Sequence, residues 1–487
     1  MDLKQKEHHT NPWVVLVLIC MAQFMVVLDA TVTNVALPSI QKDLGLSEAN
    51  LQWIINAYTL VFGGFLLLGG RLGDLLGRKR LFMIGLVIFT FASLMNGLAT
   101  SEGMLIGFRA LQGLGAALIS PAALSIISTT FEEGAERAKA LAVWAAIAIG
   151  GAAFGLILGG ALTQWFSWPW IFFVNVPVGI VVFLLSSRLV PESRDETAPA
   201  HYDIAGAVTV TGGLMSLVYA IVHAETGGWT SSTTIGFFVL SAILLASFVV
   251  IEMRSSAPLV RLSIFKIRSL TTANITMFLA MSAMFAMFFF NTLYVQKVLG
   301  FSPLQAGLAF LPFTAGIIIG AGLAQRLVPM LGAREVPLIG MPMAIVGLLL
   351  FLRLEPGGRY LVDLLPAMIL VSIGMGLTFV PVTLIATSGI PHDDAGLASG
   401  LFNTSQQIGG ALGLAILSTL AASATAQTMG SATGPPTGQA LVDGFHVAFL
   451  GSAVAVAIGA VLLAVLLRRS DVVAVGEGVP EPSAAQA

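Results

Sequence analysis

The sequence predicts an all-α membrane protein with fourteen transmembrane helices. Three observations carry this prediction. Of 487 residues, 56% are apolar and only 10% are charged. The apolar residues gather into segments long enough to cross a bilayer. The cations between those segments fall mostly on one side of the path. A soluble domain carries about 25% charged residues, so this chain cannot cover itself with enough polar surface to stay in water.

A helix needs about 20 predominantly apolar residues to cross the hydrocarbon. Such stretches lie near 13–37, 51–70, 81–99, 104–129, 138–162, 168–188, 203–222, 233–253, 270–296, 303–325, 335–352, 362–386, 396–425 and 445–467. An even number puts both tails on one side, and the charge assigns that side. With N and C termini cytoplasmic, eighteen Lys and Arg residues lie inside and four, Lys42, Lys297, Arg353 and Arg359, lie outside. Only Arg109 is left within a span. This is the bias of the positive-inside rule, and one span more or fewer would scramble it for every later loop. Residues 1–12 read as a cytoplasmic tail and 468–487 as a flexible one. No signal peptide is expected, because the first apolar segment is long and no small-residue cleavage site closes it.

The chain also repeats. GRLGDLLGRKRLFMIG at 70–85 aligns with QRLVPMLGAREVPLIG at 325–340. Arg71 meets Arg326, Leu76-Gly77 meets Leu331-Gly332, and Ile84-Gly85 meets Ile339-Gly340. Internal repeats are a common transporter plan, with the substrate site between them at mid-membrane. The expected organisation is an N-terminal six-helix bundle at 13–190, two inserted helices at 203–253 and a C-terminal six-helix bundle at 270–467.

Asp29 lies deep in the first span, within FMVVLDATVTNVALP. A carboxylate there costs about 2.5–3.5 kcal/mol on insertion scales, so it is expected to be functional or paired. A carboxyl group so placed can take a proton from one side and release it to the other. The bland reading is a structural Asp satisfied by Thr31 or Thr33. Arg109, in GFRALQGLGAALISP of the fourth span, sits about 9 Å below the outer end, against about 13 Å for Asp29 at 1.5 Å per residue. The similar depth makes Arg109 a candidate charge partner, unless it snorkels to the surface. Gln112 and Gly113 lie one turn on, and Gly113, Ala117 and Pro121 form a small-residue stripe.

The segment from Gly70 to Arg80 contains Asp74 between glycines, then Gly77, Arg78 and Lys79. Asp74 can accept hydrogen bonds from a helix N-terminus or a neighbouring Arg, as a conformational latch. The bland reading is a basic topogenic loop. Gly151, Gly155 and Gly159, with Gly160 beside them, allow close packing of the fifth span on a partner. They serve an outer seal or packing alone. The ninth span presents Met277, Met281, Met284 and Phe288 on one face, with Phe285 and Phe289 nearby. Met and aromatic side chains suit varied ligands, though core or lipid packing explains them equally. Polar groups in or near spans are Asn34, Asn274, Asn291, Gln296, Asn403, Gln406 and Gln407. The candidate substrate cavity is drawn from Asn34, Gln112, Met281, Phe285, Phe288, Asn291, Asn403 and Gln407.

No catalytic set, Walker loop or metal-ligand cluster is present, so no enzyme activity, cofactor or metal is expected. The formal net charge of −2 leaves no basic footprint for nucleic acid. Cys20 is the single cysteine. Energy for transport would come from an ion gradient.

These segments resemble the major facilitator superfamily, in its fourteen-helix drug:proton antiporter branch of EmrB/QacA type. LDATVTNVALP resembles that branch's first-helix signature, which implies a proton-coupling Asp29. The 70–80 loop resembles the superfamily's helix 2–3 motif, with Leu75 where a basic residue is usual. RALQGLGAA resembles the helix 4 motif and implies a proton-transfer role for Arg109. GLASGLFNTSQQIGGALGLA at 396–415 resembles the penultimate helix. Two positions depart. Leu156 stands where exporters usually carry proline in the fifth helix, and Pro169 stands where the family usually has Arg. The resemblance implies a proton-coupled exporter of amphipathic or cationic organic compounds in the bacterial cytoplasmic membrane. Its partners would be the small organic substrate, protons and the lipid bilayer. Oligomeric state is not legible. Proton-coupled uptake or exchange of a metabolite, or a non-transporting membrane sensor, are the other readings.

Overall fold

The computed structural model describes residues 11–193, 203–255, 258–390, 394–430 and 436–472. The tail segments 1–10 and 473–487 lie outside the described residues. Among the described residues every regular element is helical. Fourteen helices are long and apolar enough to span a membrane. They are α1 (Pro12–Leu44), α2 (Trp53–Gly73), α3 (Arg78–Gly97), α4 (Glu102–Thr130), α5 (Ala135–Trp165), α6 (Trp170–Leu189) and α7 (Ile204–Ala224). The rest are α8 (Ser232–Arg254), α9 (Arg268–Val298), α10 (Pro303–Leu331), α11 (Glu335–Arg353), α12 (Tyr360–Thr387), α13 (Ala395–Met429) and α14 (Gly438–Leu466).

Local chemistry sets the ends. Asn11 accepts from Trp13 N–H and Pro12 opens α1, because a first-turn proline has no donor to lose. Gly45 closes α1 in the left-handed conformation. Ser302 and Gln305 form a reciprocal capping box at the start of α10. The fifth span runs unbroken from Ala135 to Trp165, and Leu156 within it is buried. A proline-free helix has no cause to kink there.

Packing follows the repeat. In the first half, α4 packs on α2 and α3, α1 on α4, α5 and α6, and α3 on α6. In the second half, α12 packs on α10 and α11, α9 on α12, α13 and α14, and α11 on α14. The aligned loops match in detail. Gly77 and Gly332 turn the chain at φ 102° and 101°. Gly85 packs on α4, where an added Cβ would lie 2.9 Å from the Gly115 carbonyl oxygen. Gly340 packs on α12, where an added Cβ would lie 2.5 Å from the Gly374 carbonyl oxygen. Both glycines are needed because side-chain atoms would hold the helix backbones apart.

The halves meet along α2–α13, α5–α10 and, more lightly, α1–α9. Near the loops poor in cations they touch closely: Gln296 Nε2 donates to Val35 O at 2.8 Å and Leu304 N to Gln164 Oε1 at 3.2 Å. Val35, Leu37 and Ile40 are buried there. Toward the cation-rich end, much of the 135–146 stretch of α5 and the 318–331 stretch of α10 is exposed. Ala30 is exposed midway along α1. Since α1 is surrounded by α4, α5, α6 and α9, Ala30 faces a cleft between the halves and not lipid. The helix α7 packs on α2, α13 and α8, while α8 packs chiefly on α7 and exposes Ile235, Val239, Ile243 and Val250.

Candidate functional site

The charged core of the first half is built by five helices. α1 brings Asp29, α2 the Ile54 carbonyl and Tyr58, α3 Ser93 and Asn96, α4 Arg109 and Gln112, and α6 Asn175. Arg109 Nη1 donates to Asp29 Oδ2 at 2.5 Å and to Gln112 Oε1 at 2.8 Å. Its Nε donates to Ile54 O at 2.9 Å, and its guanidinium lies 4.4 Å from the Tyr58 ring centre. Asp29 Oδ1 accepts from Gln112 Nε2 at 2.7 Å and from Asn175 Nδ2 at 3.0 Å. Asn96 Nδ2 donates to Gln112 Oε1 at 2.8 Å, and Asn175 Nδ2 also reaches Ser93 Oγ at 3.1 Å. Ser93 Oγ in turn donates to Phe172 O at 2.9 Å.

Asp29 is 0% and Arg109 1% exposed. Two opposite charges so deep are stable only when paired and hydrogen-bonded on their remaining faces. That condition is met here by the amides of Gln112 on α4 and Asn175 on α6 and by the Ile54 carbonyl on α2. The Asp29 carboxylate therefore ties α1 to α4 and α6. Adding a proton to it removes one acceptor lone pair and the counter-charge of Arg109 together. Thr31 and Thr33 play no part in this. Their hydroxyls bond backbone carbonyls of α1, at Val27, Leu28 and Asp29, and leave the carboxylate alone.

The expected cavity residues divide. Asn34, Phe285, Phe288 and Gln407 are partly exposed and Asn403 is exposed. Asn34 and Asn403 bond carbonyls one turn back, at Ala30 and Ser399. Phe288 packs on Phe310 and Phe313 of α10, with centroids 5.4 and 4.8 Å away. Gln112 lies in the buried network instead of the cavity, because its amide is consumed by Asp29, Arg109 and Asn96. Asn291 is also buried, at 0% exposure within the second half, and Met281 packs in the apolar core.

The loop after α2 is held by an acid far along the chain. Glu192, just past α6, accepts Lys79 N at 3.1 Å and Arg80 N at 3.2 Å, capping the bare N-terminus of α3. Lys79 Nζ donates to Ser187 O at 2.8 Å, and Arg78 N to Ser193 O at 2.8 Å. Gly70 lies at the α2–α4 contact beside Pro121. Asp74 is helical, and its side chain lies outside the described residues. On α5, Gly151, Gly155 and Gly159 face α1 at Phe24, Thr31 and Val32, so they pack within one half. Gly160 faces the other half, where an added Cβ would lie 2.6 Å from Pro303 O.

Ser93, Asn96, Asn175, Tyr58 and Glu192 were not singled out by sequence. Asn96 and Asn175 had a signal, as amides in long apolar runs. Glu192 had none, since an acid in a loop is ordinary.

Comparison with known proteins gives a consistent result. Residues 19–414 match the family model described as Major Facilitator Superfamily. The puromycin resistance protein of Streptomyces alboniger is 41% identical over 93% of this chain and 90% of its own length. The cephamycin export protein of Amycolatopsis lactamdurans is 40% identical over 93% of this chain and 92% of its own. Among solved structures, a bacterial homologue of the human lysosomal transporter Spinster superposes with a TM-score of 0.67 at 18% identity. That match covers 95% of this chain and 98% of the other.

Proposed function

From the premise that this chain belongs to the Major Facilitator Superfamily, we propose that it exports drug-like amphipathic or cationic organic compounds in exchange for protons. It is a multi-pass protein of the bacterial inner membrane, and a transport protein in kind, with no enzyme chemistry required. The similarity to resistance and export proteins supports outward movement of antibiotic-like molecules.

The observation that carries the proton assignment is the sealed Asp29–Arg109–Gln112–Asn175 network. In this reading Asp29 exchanges the proton and Arg109 sets how firmly it is held. When Asp29 is charged, its bonds hold α1 against α4 and α6. When it is protonated, Arg109 keeps Ile54 O and Gln112 but loses its counter-charge, so α1 is freed to shift. Residues 13–190 and 270–467 would rock about the cleft, with both termini cytoplasmic and 203–253 as an added pair. Glu192, with Lys79 and Arg78, would hold the α2–α3 loop in one state, and Gly160 would close the outer seam.

The test uses purified protein in proteoliposomes with an imposed pH gradient and a panel of lipophilic cations, dyes and antibiotics. Substrate-driven proton movement is expected in the parent protein, and none in Asp29→Asn, which should still insert and fold. Unchanged coupled transport in Asp29→Asn would sink the assignment. Counterflow in inverted and right-side-out vesicles fixes the direction.

A further inference from the structure

A second group of buried charge lies away from Asp29, where the cation-rich ends of α2, α7 and α8 meet the connector to α9. Asp203 caps α7, its Oδ1 accepting Gly206 N at 2.7 Å. Glu252 sits in the last turn of α8, its Oε2 accepting Val260 N at 3.1 Å. They are 6% and 4% exposed. Each has a second carboxyl oxygen, Asp203 Oδ2 and Glu252 Oε1, that is buried with no hydrogen-bond partner among the described residues. Asp203 opens α7 and Glu252 closes α8, two helices packed on one another, and Arg71 lies within electrostatic reach of Glu252. Arg71 is also bound to this corner, its Nη2 donating to Pro258 O at 2.9 Å. The other described charges on these elements are engaged elsewhere or face outward. Arg254 and Lys266 are exposed, and Arg261 pairs with Asp394 at the start of α13.

Two buried carboxylates beside one partly exposed guanidinium leave one negative charge in excess. They also leave two oxygens that need a donor. A proton on Glu252 cancels that charge and turns one of those oxygens into a donor, and a neighbouring like charge favours the neutral acid. We propose that Glu252 binds one proton, as a second proton site distinct from Asp29, with Asp203 as its buried acidic neighbour. The site joins three parts of the molecule. Arg71 belongs to the α2 end of the 70–80 loop, Asp203 and Glu252 to the inserted pair, and Pro258 and Val260 to the connector that leads to the second half. Its proton keeps the corner neutral and the connector docked. Loss of the proton leaves an unbalanced charge that draws water in and loosens the dock. The inserted pair thus has work of its own, beyond adding two spans.

Infrared spectroscopy on protein in lipid nanodiscs tests this, because a protonated carboxyl has its own carbonyl band. The measurement uses the Asp29→Asn background, so that Asp29 contributes nothing. A carboxylic band is expected near neutral pH in Asp29→Asn, with loss of that band on adding Glu252→Gln and a shift on adding Asp203→Asn. No band in Asp29→Asn at neutral pH overturns the proposal, as does a band indifferent to both substitutions. A band abolished by exchanging potassium for sodium also overturns it, assigning the pair to a metal cation. Monodisperse elution identifies folded variants. If the double variants do not fold, the band's move to lower wavenumber in heavy water and its loss on raising pH in Asp29→Asn alone decide, and its persistence to strongly alkaline pH overturns a releasable proton.

Discussion

The two halves share a packing plan and differ in what they bury. In the first half the interior around α1 holds an ion pair and a set of amides and hydroxyls, each bonded to the next. In the second, the interior around α9 holds Met277, Met287, Phe289, Phe290 and Leu293. The buried polar groups of α9 are uncharged, among them Asn274, Thr276 and Asn291, and the Asn291 amide nitrogen and oxygen both lack a partner among the described residues. The backbone repeat is thus kept while the chemistry is divided. In the proposed mechanism the first half responds to a proton, while the second keeps Met284, Phe285 and Phe288 partly exposed. Packing tolerates that division because helix contacts in a membrane rest on small residues such as Gly85 and Gly340, and not on the side chains between them.

Substitutions can break or sharpen this contrast. The largest effect is expected from Arg109→Ala, which strands a buried carboxylate. Breaking a buried pair from one side costs about 3–5 kcal/mol, so folded yield and proton-coupled transport should both collapse. Asp29→Asn/Arg109→Ala should recover folded yield but not coupling. Next, Gly160→Val should wedge α5 from α10 at Pro303 and abolish transport. Thiol labelling of Gln296→Cys from the outer face should then accelerate, read against a background whose single native cysteine, Cys20, is buried. Asn175→Ala removes one of the three donors to Asp29 and should cost about 0.5–1.5 kcal/mol, seen as a shift in the pH profile of transport with the maximum rate retained. The matching test in the second half has the opposite sign. Asn291→Leu removes a buried amide with no protein partner, so it should leave transport intact and raise thermal stability. A loss of transport there would show that the second half is not the inert partner in proton coupling. The smallest effect is expected from Glu192→Gln, since its bonds to Lys79 and Arg80 are partly exposed, and initial transport rates should change by less than about threefold.

The span pattern was legible in the sequence because hydrocarbon allows few backbone solutions and hydropathy records them directly. Asp29 and Arg109 were legible for a related reason. Charges at membrane depth are rare, so each stands out alone. The network around them was not, because Ser, Asn and Gln are common in spans and bond whichever neighbour the fold supplies. Gln112 shows the limit. Its position beside Arg109 was plain, but whether it faced the cleft or the pair depended on α3 and α6, which one sequence cannot bring together. Glu192 was hidden by distance along the chain, with more than a hundred residues between it and Lys79.

The inserted pair has a mechanical consequence. The repeat makes two seams between the halves, α2–α13 and α5–α10, that would otherwise be equivalent. Across the first lies α7, with Leu214, Val218 and Val222 packed among Trp53, Leu60, Ala411 and Ala415. Among the described residues no further span is packed in this way over the second. A motion that would be balanced in a twelve-span molecule therefore acquires a stiffer edge and a freer one. In the proposed cycle the halves would therefore rock about the stiffer seam, as a page turns on its spine.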